Sequence, residues 1–146
     1  MPKAAADPGN VIVTPQNLAD LLRFRTELRT FQHWSEEQAK SVGLTHMQHQ
    51  LLLAVEGHLD PRGPTIADVA RYLVIKHHSA VELLGRVEVL GYVRRTGDPD
   101  NARLVRLRLT AKGARKLHEL SRLHLEELRR LRPALAALMD GFAAED

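Results

Sequence analysis

The chain contains no cysteine. That absence excludes a disulfide framework, a thiolate zinc site and any cysteine-based redox switch. No stretch approaches the ~20 consecutive apolar residues needed to cross a bilayer. The opening Met1-Pro2-Lys3-Ala4-Ala5-Ala6 lacks the hydrophobic segment of a signal peptide. The expected compartment is therefore the cytosol, with no membrane partner. A glycine-rich phosphate loop and a nucleophile elbow are missing too. The acidic pairs Glu36-Glu37 and Glu126-Glu127 fall in charge-rich stretches that make ordinary solvated helix faces. Enzymatic chemistry is not expected.

What is present is charge, unevenly placed. Lys plus Arg number 21 against 18 Asp plus Glu over 146 residues, a modest net +3. Between positions 71 and 116, however, eleven basic residues face four acidic ones, leaving the remainder net negative. Such segregation fits a protein in which one face meets a polyanion while the rest stays soluble.

The basic segment has a legible shape. Tyr92-Val93-Arg94-Arg95-Thr96 runs into Gly97-Asp98-Pro99-Asp100-Asn101, and Arg103-Leu104-Val105-Arg106-Leu107-Arg108-Leu109 returns. Val105, Leu107 and Leu109 alternate with Arg106 and Arg108, the period of a half-buried strand. Upstream, Thr65-Ile66-Ala67-Asp68 starts a short helix with Ile66, Val69, Ala70 and Leu73 on one face. Val74-Ile75-Lys76 makes a turn, and a second helix over about 77–90 buries Ala80, Leu83, Leu84 and Val87 before Gly91 ends it. A helix pair followed by an arginine-bearing ribbon is the order of a winged helix-turn-helix, which points to double-stranded DNA.

The flanks are helical. Residues 1–13 lack periodicity and predict a flexible arm. Thr14-Pro15 begins a helix running to about residue 40, with Leu18, Leu21, Leu22, Leu28 and Phe31 on one side. Thr45-His46-Met47-Gln48 is a capping box for the next helix, which buries Met47, Leu51, Ala54 and Val55. Thr110 caps a long helix through Leu117, Leu120, Leu128 and Leu131, expected to break at Pro133 before a last short helix with Leu135, Leu138, Met139 and Phe142. The fold class expected is mainly α with a small β-wing. The winged helix-turn-helix lobe spans about 45–112, and 14–42 and 113–146 supply N- and C-terminal dimerisation helices within one domain over 14–146. Leucine-rich terminal helices are most economically used in a homodimer, whose two-fold symmetry matches palindromic half-sites.

Three stretches resemble the MarR family of winged helix-turn-helix transcription regulators, over roughly 14–142. Gly43-Leu44-Thr45-His46-Met47-Gln48 is similar to the family's Leu-Thr-x-x-Gln start of helix 2. Thr65-Ile66-Ala67-Asp68-Val69-Ala70 through His78-Ser79-Ala80-Val81 resembles its helix-turn-helix. Leu90-Gly91-Tyr92-Val93-Arg94-Arg95, the Asp-Pro tip and Leu109-Thr110-Ala111-Lys112-Gly113 resemble its wing and exit into helix 5. The family's wing tip carries Asp-x-Arg; counting back from Leu109-Thr110 puts Asn101 at the aspartate and Arg103 at the arginine, with Asp100 one residue earlier. In the recognition helix, Glu82 and Gly85 replace more usual polar or basic choices. The resemblance implies a repressor acting as a homodimer on a palindromic operator. It also implies an effector site for a small aromatic or phenolic anion where Phe31, His33 and Trp34 of the first helix meet His49 and Gln50 of the second.

The expected DNA contacts are Lys76, His77, His78, Ser79, Glu82 and Arg86 on the recognition helix and Arg94, Arg95 and Arg103 on the wing. Arg86 suits a guanine or a phosphate, Ser79 a phosphate and Glu82 a cytosine amino group. Arg103 at the tip suits a narrow minor groove. Arg106 and Arg108 are expected to meet phosphate or cover the strand. Of the eight histidines, His46 and His49 are three apart and His77 and His78 adjacent, without a completing cluster, and His118-Glu119 lacks the second histidine of a zinc-protease motif. No metal and no cofactor are expected. The alternatives are a histidine-dependent metal-responsive regulator and a protein-interaction module that has lost DNA binding.

Overall fold

Thr14 and Asn17 cap each other reciprocally at the head of α1 (Pro15–Ser41) in the computed structural model, which describes residues 12–143. The arm expected over 1–13 thus lies almost wholly outside the described residues. The same device recurs twice. The Thr45 hydroxyl accepts from the Gln48 amide at 3.1 Å while Gln48 accepts from the Thr45 amide at 3.0 Å, opening α2 (His46–Glu56). Thr65 and Asp68 do likewise for α3 (Ile66–Leu73). Each box satisfies amides that the first helical turn leaves without partners.

After α3, Val74 adopts a left-handed backbone (φ 54°), and the Ile75 amide donates back to the Ala70 carbonyl at 3.0 Å. This closes the helix and turns the chain into α4 (His77–Val89). Strands β1 (Val93–Gly97) and β2 (Val105–Leu109) then pair antiparallel, with Val93 opposite Leu109 and Arg95 opposite Leu107. Finally α5 (Ala111–Asp140) runs back along α1. The mainly helical class with a two-stranded wing is the observed fold.

Helix α2 sits centrally, packed against α1, α3, α4, α5 and β2. Its Leu51 and Leu52 are fully buried with Val69, Leu84, Val87, Leu107 and Leu120. Every element except β1 therefore places a side chain on or beside α2, and β1 enters the same core through Val93.

The C-terminal expectation needs correction. Pro133 lies inside α5, which continues unbroken to Asp140, so there is no separate last helix. Proline fixes a φ that a helix accepts, although it removes one hydrogen bond and its ring crowds the carbonyl one turn back. Leu131, Leu135 and Leu138 keep their periodic face across it, and Leu138 is buried. Just beyond, Phe142 meets Phe24 of α1 edge-on at 6.1 Å.

Candidate nucleic-acid interface

Along α4 the core side is Ala80, Leu83, Leu84 and Val87. Lys76, His77, His78, Glu82 and Arg86 are exposed to varying degrees on the other side, and Ser79 is half-buried at its margin. Lys76 is the N-cap residue but gives no side-chain capping bond. The first amides of α4 therefore have no side-chain acceptor from the cap, and the positive end of the helix dipole is open to an anion.

The wing is fixed to α4 and to the loop over 57–64. Glu88 near the end of α4 accepts from Arg95 of β1 at 2.8 and 2.9 Å, which welds ribbon to helix. Arg95 is thereby committed to an intramolecular pair, whereas Arg94 is exposed and makes no ion pair among the described residues. On the far edge, the Leu107 amide donates to the Pro64 carbonyl at 2.9 Å and Arg108 donates to the Pro61 carbonyl. Gly63 permits this closeness: it has φ +86°, and a Cβ there would collide with the Leu107 carbonyl oxygen.

At the tip the organising residue is Asp98, unforeseen as such from the sequence. Its side chain, 1% exposed, accepts from the amides of Asp100 (2.8 Å) and Asn101 (2.9 Å) and from Nε of Arg106 (2.7 Å). The Arg106 guanidinium, foremost, and those amides hold the Asp98 carboxyl below the usual carboxylate range. Arg106 is itself buried and also donates to the Gly63 carbonyl at 3.2 Å. The expectation that Arg106 meets phosphate or covers the strand is therefore wrong. Strand alternation places it opposite Thr96, on the side where the 57–64 loop and Asp98 enclose it. Arg62 extends the network, bonded to Asp60 and within 3.5 Å of Asp100. Asp100 thus faces Arg62, and Asn101 accepts from the Arg103 backbone amide at 3.0 Å. Arg103 is left with an exposed side chain on a turn fixed by its neighbours.

The residues grouped as an effector pocket divide. Phe31 and Trp34 stack at 5.9 Å, and both meet His124 of α5, at 6.0 and 4.8 Å. His49 lies 4.9 Å from the same ring. His124 is doubly held. Its Nδ1 donates to the Leu120 carbonyl at 2.7 Å, and its Nε2 shares a hydrogen bond of 2.7 Å with the buried Ser35 hydroxyl. His33, by contrast, is exposed on another side of α1 and makes no ring contact with this cluster among the described residues. Gln50 touches His49 at 3.4 Å but lines a separate groove with Leu53, Ala54, Gly57, Tyr72 and Leu73. Beside the cluster, a cleft of about 460 Å³ between α1 and α5 is lined by Phe31, Trp34, Glu27, Glu127, Arg130 and Leu131, among others. His124 and Ser35 gave no sign in the sequence, since a histidine and a serine 89 residues apart meet only through helix packing.

Burial, then the charges of His124 and His46, push the His49 imidazole down to about 4. A base whose folded value lies below its unfolded one supports the fold fully above about pH 6.5. That support is lost as pH falls toward 4. Urea unfolding should accordingly show a loss of about 2 kcal/mol over that window, flattened in His49→Gln. An equal slope in the variant would assign the loss to other groups.

Among the described residues, no group of three or more His, Asp or Glu is disposed to hold a metal ion. None of the helices there is long and apolar enough to cross a membrane. A helix pair, its second member with an open basic N-terminus, and a braced two-stranded ribbon define a winged helix-turn-helix protein. A family model described as the MarR family matches residues 42–104, from the end of α1 to the wing tip.

Solved structures agree on the fold. A mutant of S. aureus MepR bound to an oligodeoxyribonucleotide aligns with a TM-score of 0.64 at 16% identity, covering 84% of this chain and 97% of that one. AbsC, a MarR family transcriptional regulator from Streptomyces coelicolor, gives 0.71 at 19% identity, covering 86% and 84%. Wild-type apo MarR from E. coli gives 0.63 at 18% identity, covering 92% and 89%. No curated protein matches the chain.

Proposed function

We propose that this protein is a cytoplasmic, DNA-binding transcription regulator of the MarR type, working as a homodimeric repressor on a palindromic operator. The observation that carries this reading is the rigid coupling of an open helix face to a basic ribbon through Arg95 and Glu88. Helix α4 would enter a major groove while Arg103 enters the flanking minor groove. Lys76, His77, His78, Ser79, Glu82 and Arg86 would face the first, and Arg94 a phosphate. The similarity to MepR, solved with an oligodeoxyribonucleotide, supports the same choice.

The second copy is argued from apolar surface. Leu18, Leu21, Leu22, Leu28, Leu125, Leu128 and Met139 are all exposed on α1 and α5. Covering them with the same helices of a partner would set two copies of α4 one helical turn apart on DNA. Division into a stem over 14–42 and 113–146 and a reading lobe over 45–112 follows from this assignment.

The effector would be a small aromatic or phenolic anion in the cleft beside Phe31 and Trp34, with His49 beneath. It acts only by binding one spacing of the two lobes more tightly than the other. By linkage, a ligand that weakens operator binding must bind more weakly when operator is present.

The test is titration onto the protein's own upstream intergenic DNA and onto a scrambled duplex at several salt concentrations. Preference for the native duplex is expected, and Arg103→Ala should lose about 1–3 kcal/mol of operator affinity. Equal, weak binding to both duplexes would leave only the electrostatic contribution and favour a protein-interaction module.

A further inference from the structure

Gly85 occupies the middle of α4, four residues short of its end. Glycine there lowers helix stability relative to alanine, so a physical reason for it is required. None lies within the chain. Its backbone is not left-handed, and a Cβ built on it would meet no atom within 4 Å. Neither conformational need nor internal packing calls for the missing side chain. The open space lies on the outward side of the helix.

Helical geometry places Gly85 in a specific company. With Ala80, Leu83, Leu84 and Val87 facing the core, the 3.6-residue turn puts His78, Glu82, Gly85 and Val89 on the outward side, flanked by Val81 and Arg86; Gly85 is half-buried there and the others are exposed. Val81 is 38% and Val89 88% exposed. No Lys or Arg stands between Lys76 and Arg86. Glu82 is exposed and makes no hydrogen bond or salt bridge among the described residues, although Arg86 is one turn away. On a face directed at a polyanion, an unpaired carboxylate opposes binding everywhere except where a donor meets it. In the major groove, cytosine N4 is the donor that pairs with Glu.

We propose that Gly85 and Glu82 are the specificity-determining pair of α4. The bare backbone at Gly85 lets a base edge approach the helix, and Glu82 accepts a hydrogen bond from the amino group of a cytosine in the same half-site. This rests on the DNA-binding reading and deepens it. Base selection resides in an acid and a notch, while the arginines of the wing supply affinity. Glu82 thereby penalises every duplex lacking the cytosine, a form of discrimination by repulsion.

The test begins with selection of duplexes from a randomised pool by the full-length protein. A cytosine fixed at one position of each half-site is expected. Glu82→Gln should lose that preference, leave the other positions unchanged and bind scrambled duplex more tightly. Gly85→Ala should raise Tm yet weaken binding to the selected site at least tenfold, with scrambled-duplex binding unaltered. Retention of the cytosine by Glu82→Gln, or a Gly85→Ala variant of higher Tm and unchanged site affinity, overturns the proposal. A wild-type protein that enriches no sequence overturns sequence-specific DNA binding itself, a distinct failure recognised before either variant is made.

Discussion

Replacing Asp98 with alanine is expected to collapse the wing tip and to cost more operator affinity than any single exposed arginine. Three donors lose their acceptor at once: the amides of Asp100 and Asn101 and the buried guanidinium of Arg106. Arg106 would keep only the Gly63 carbonyl, as a buried cation without a counter-charge. The turn that presents Arg103 then has no fixed form, and the minor-groove contact proposed for Arg103 would lose its preorganisation. We expect operator affinity to fall by about a hundredfold or more, with a lowered Tm. Asp98→Asn, which keeps an acceptor but not the charge, should fall between. Fluorescence titration of labelled operator and thermal melts measure the two effects. An unchanged affinity beside a lowered Tm would remove the wing from the binding surface.

Alanine at Gly113 acts on a different joint. The first turn of α5 lies directly on the backbone entering β1. Thr110 donates from its amide to the Tyr92 carbonyl at 3.0 Å and from its hydroxyl to the Gly91 carbonyl at 2.6 Å. A methyl group at Gly113 would collide with the Tyr92 carbonyl oxygen, a backbone atom that cannot rotate aside. Relief requires α5 to lift from the wing, which also disturbs Leu117 in the core. A loss of about 3 kcal/mol in urea unfolding is expected, at the upper end for an overpacked site. A loss below the usual scatter of surface substitutions would show that α5 can shift freely here.

Local chemistry made most of the fold legible. Thr14, Thr45, Thr65 and Thr110 each mark a helix start by a hydroxyl that accepts the amide three residues on, a bond written entirely within four residues. Helix α4 and both strands follow from apolar periodicity in the same way. Pro133 misled because helix termination depends on what the rest of the helix packs against, and Leu135 and Leu138 keep α5 in place beyond it. The site was legible in proportion to its exposure. His77, His78 and Arg103 stand at the surface as composition implied. Arg106 does not, because whether a strand arginine faces water depends on the 57–64 loop, distant in sequence, closing over it. The meeting of His124, Ser35, His49 and Trp34 depends on the crossing of three helices, which no local pattern encodes.

The proline within α5 has a mechanical consequence. Lacking an amide hydrogen, Pro133 leaves the Arg129 carbonyl without its partner one turn ahead. A helix bends most easily where a bond is already missing, because opening that side breaks nothing further. Arg129 borders an apolar trough of about 390 Å³ with Leu125, Leu128, Arg132, Leu135, Ala136 and Met139. The last turns of α5 therefore form the most compliant part of the helix, at the edge of this trough, after 22 residues that contain no proline.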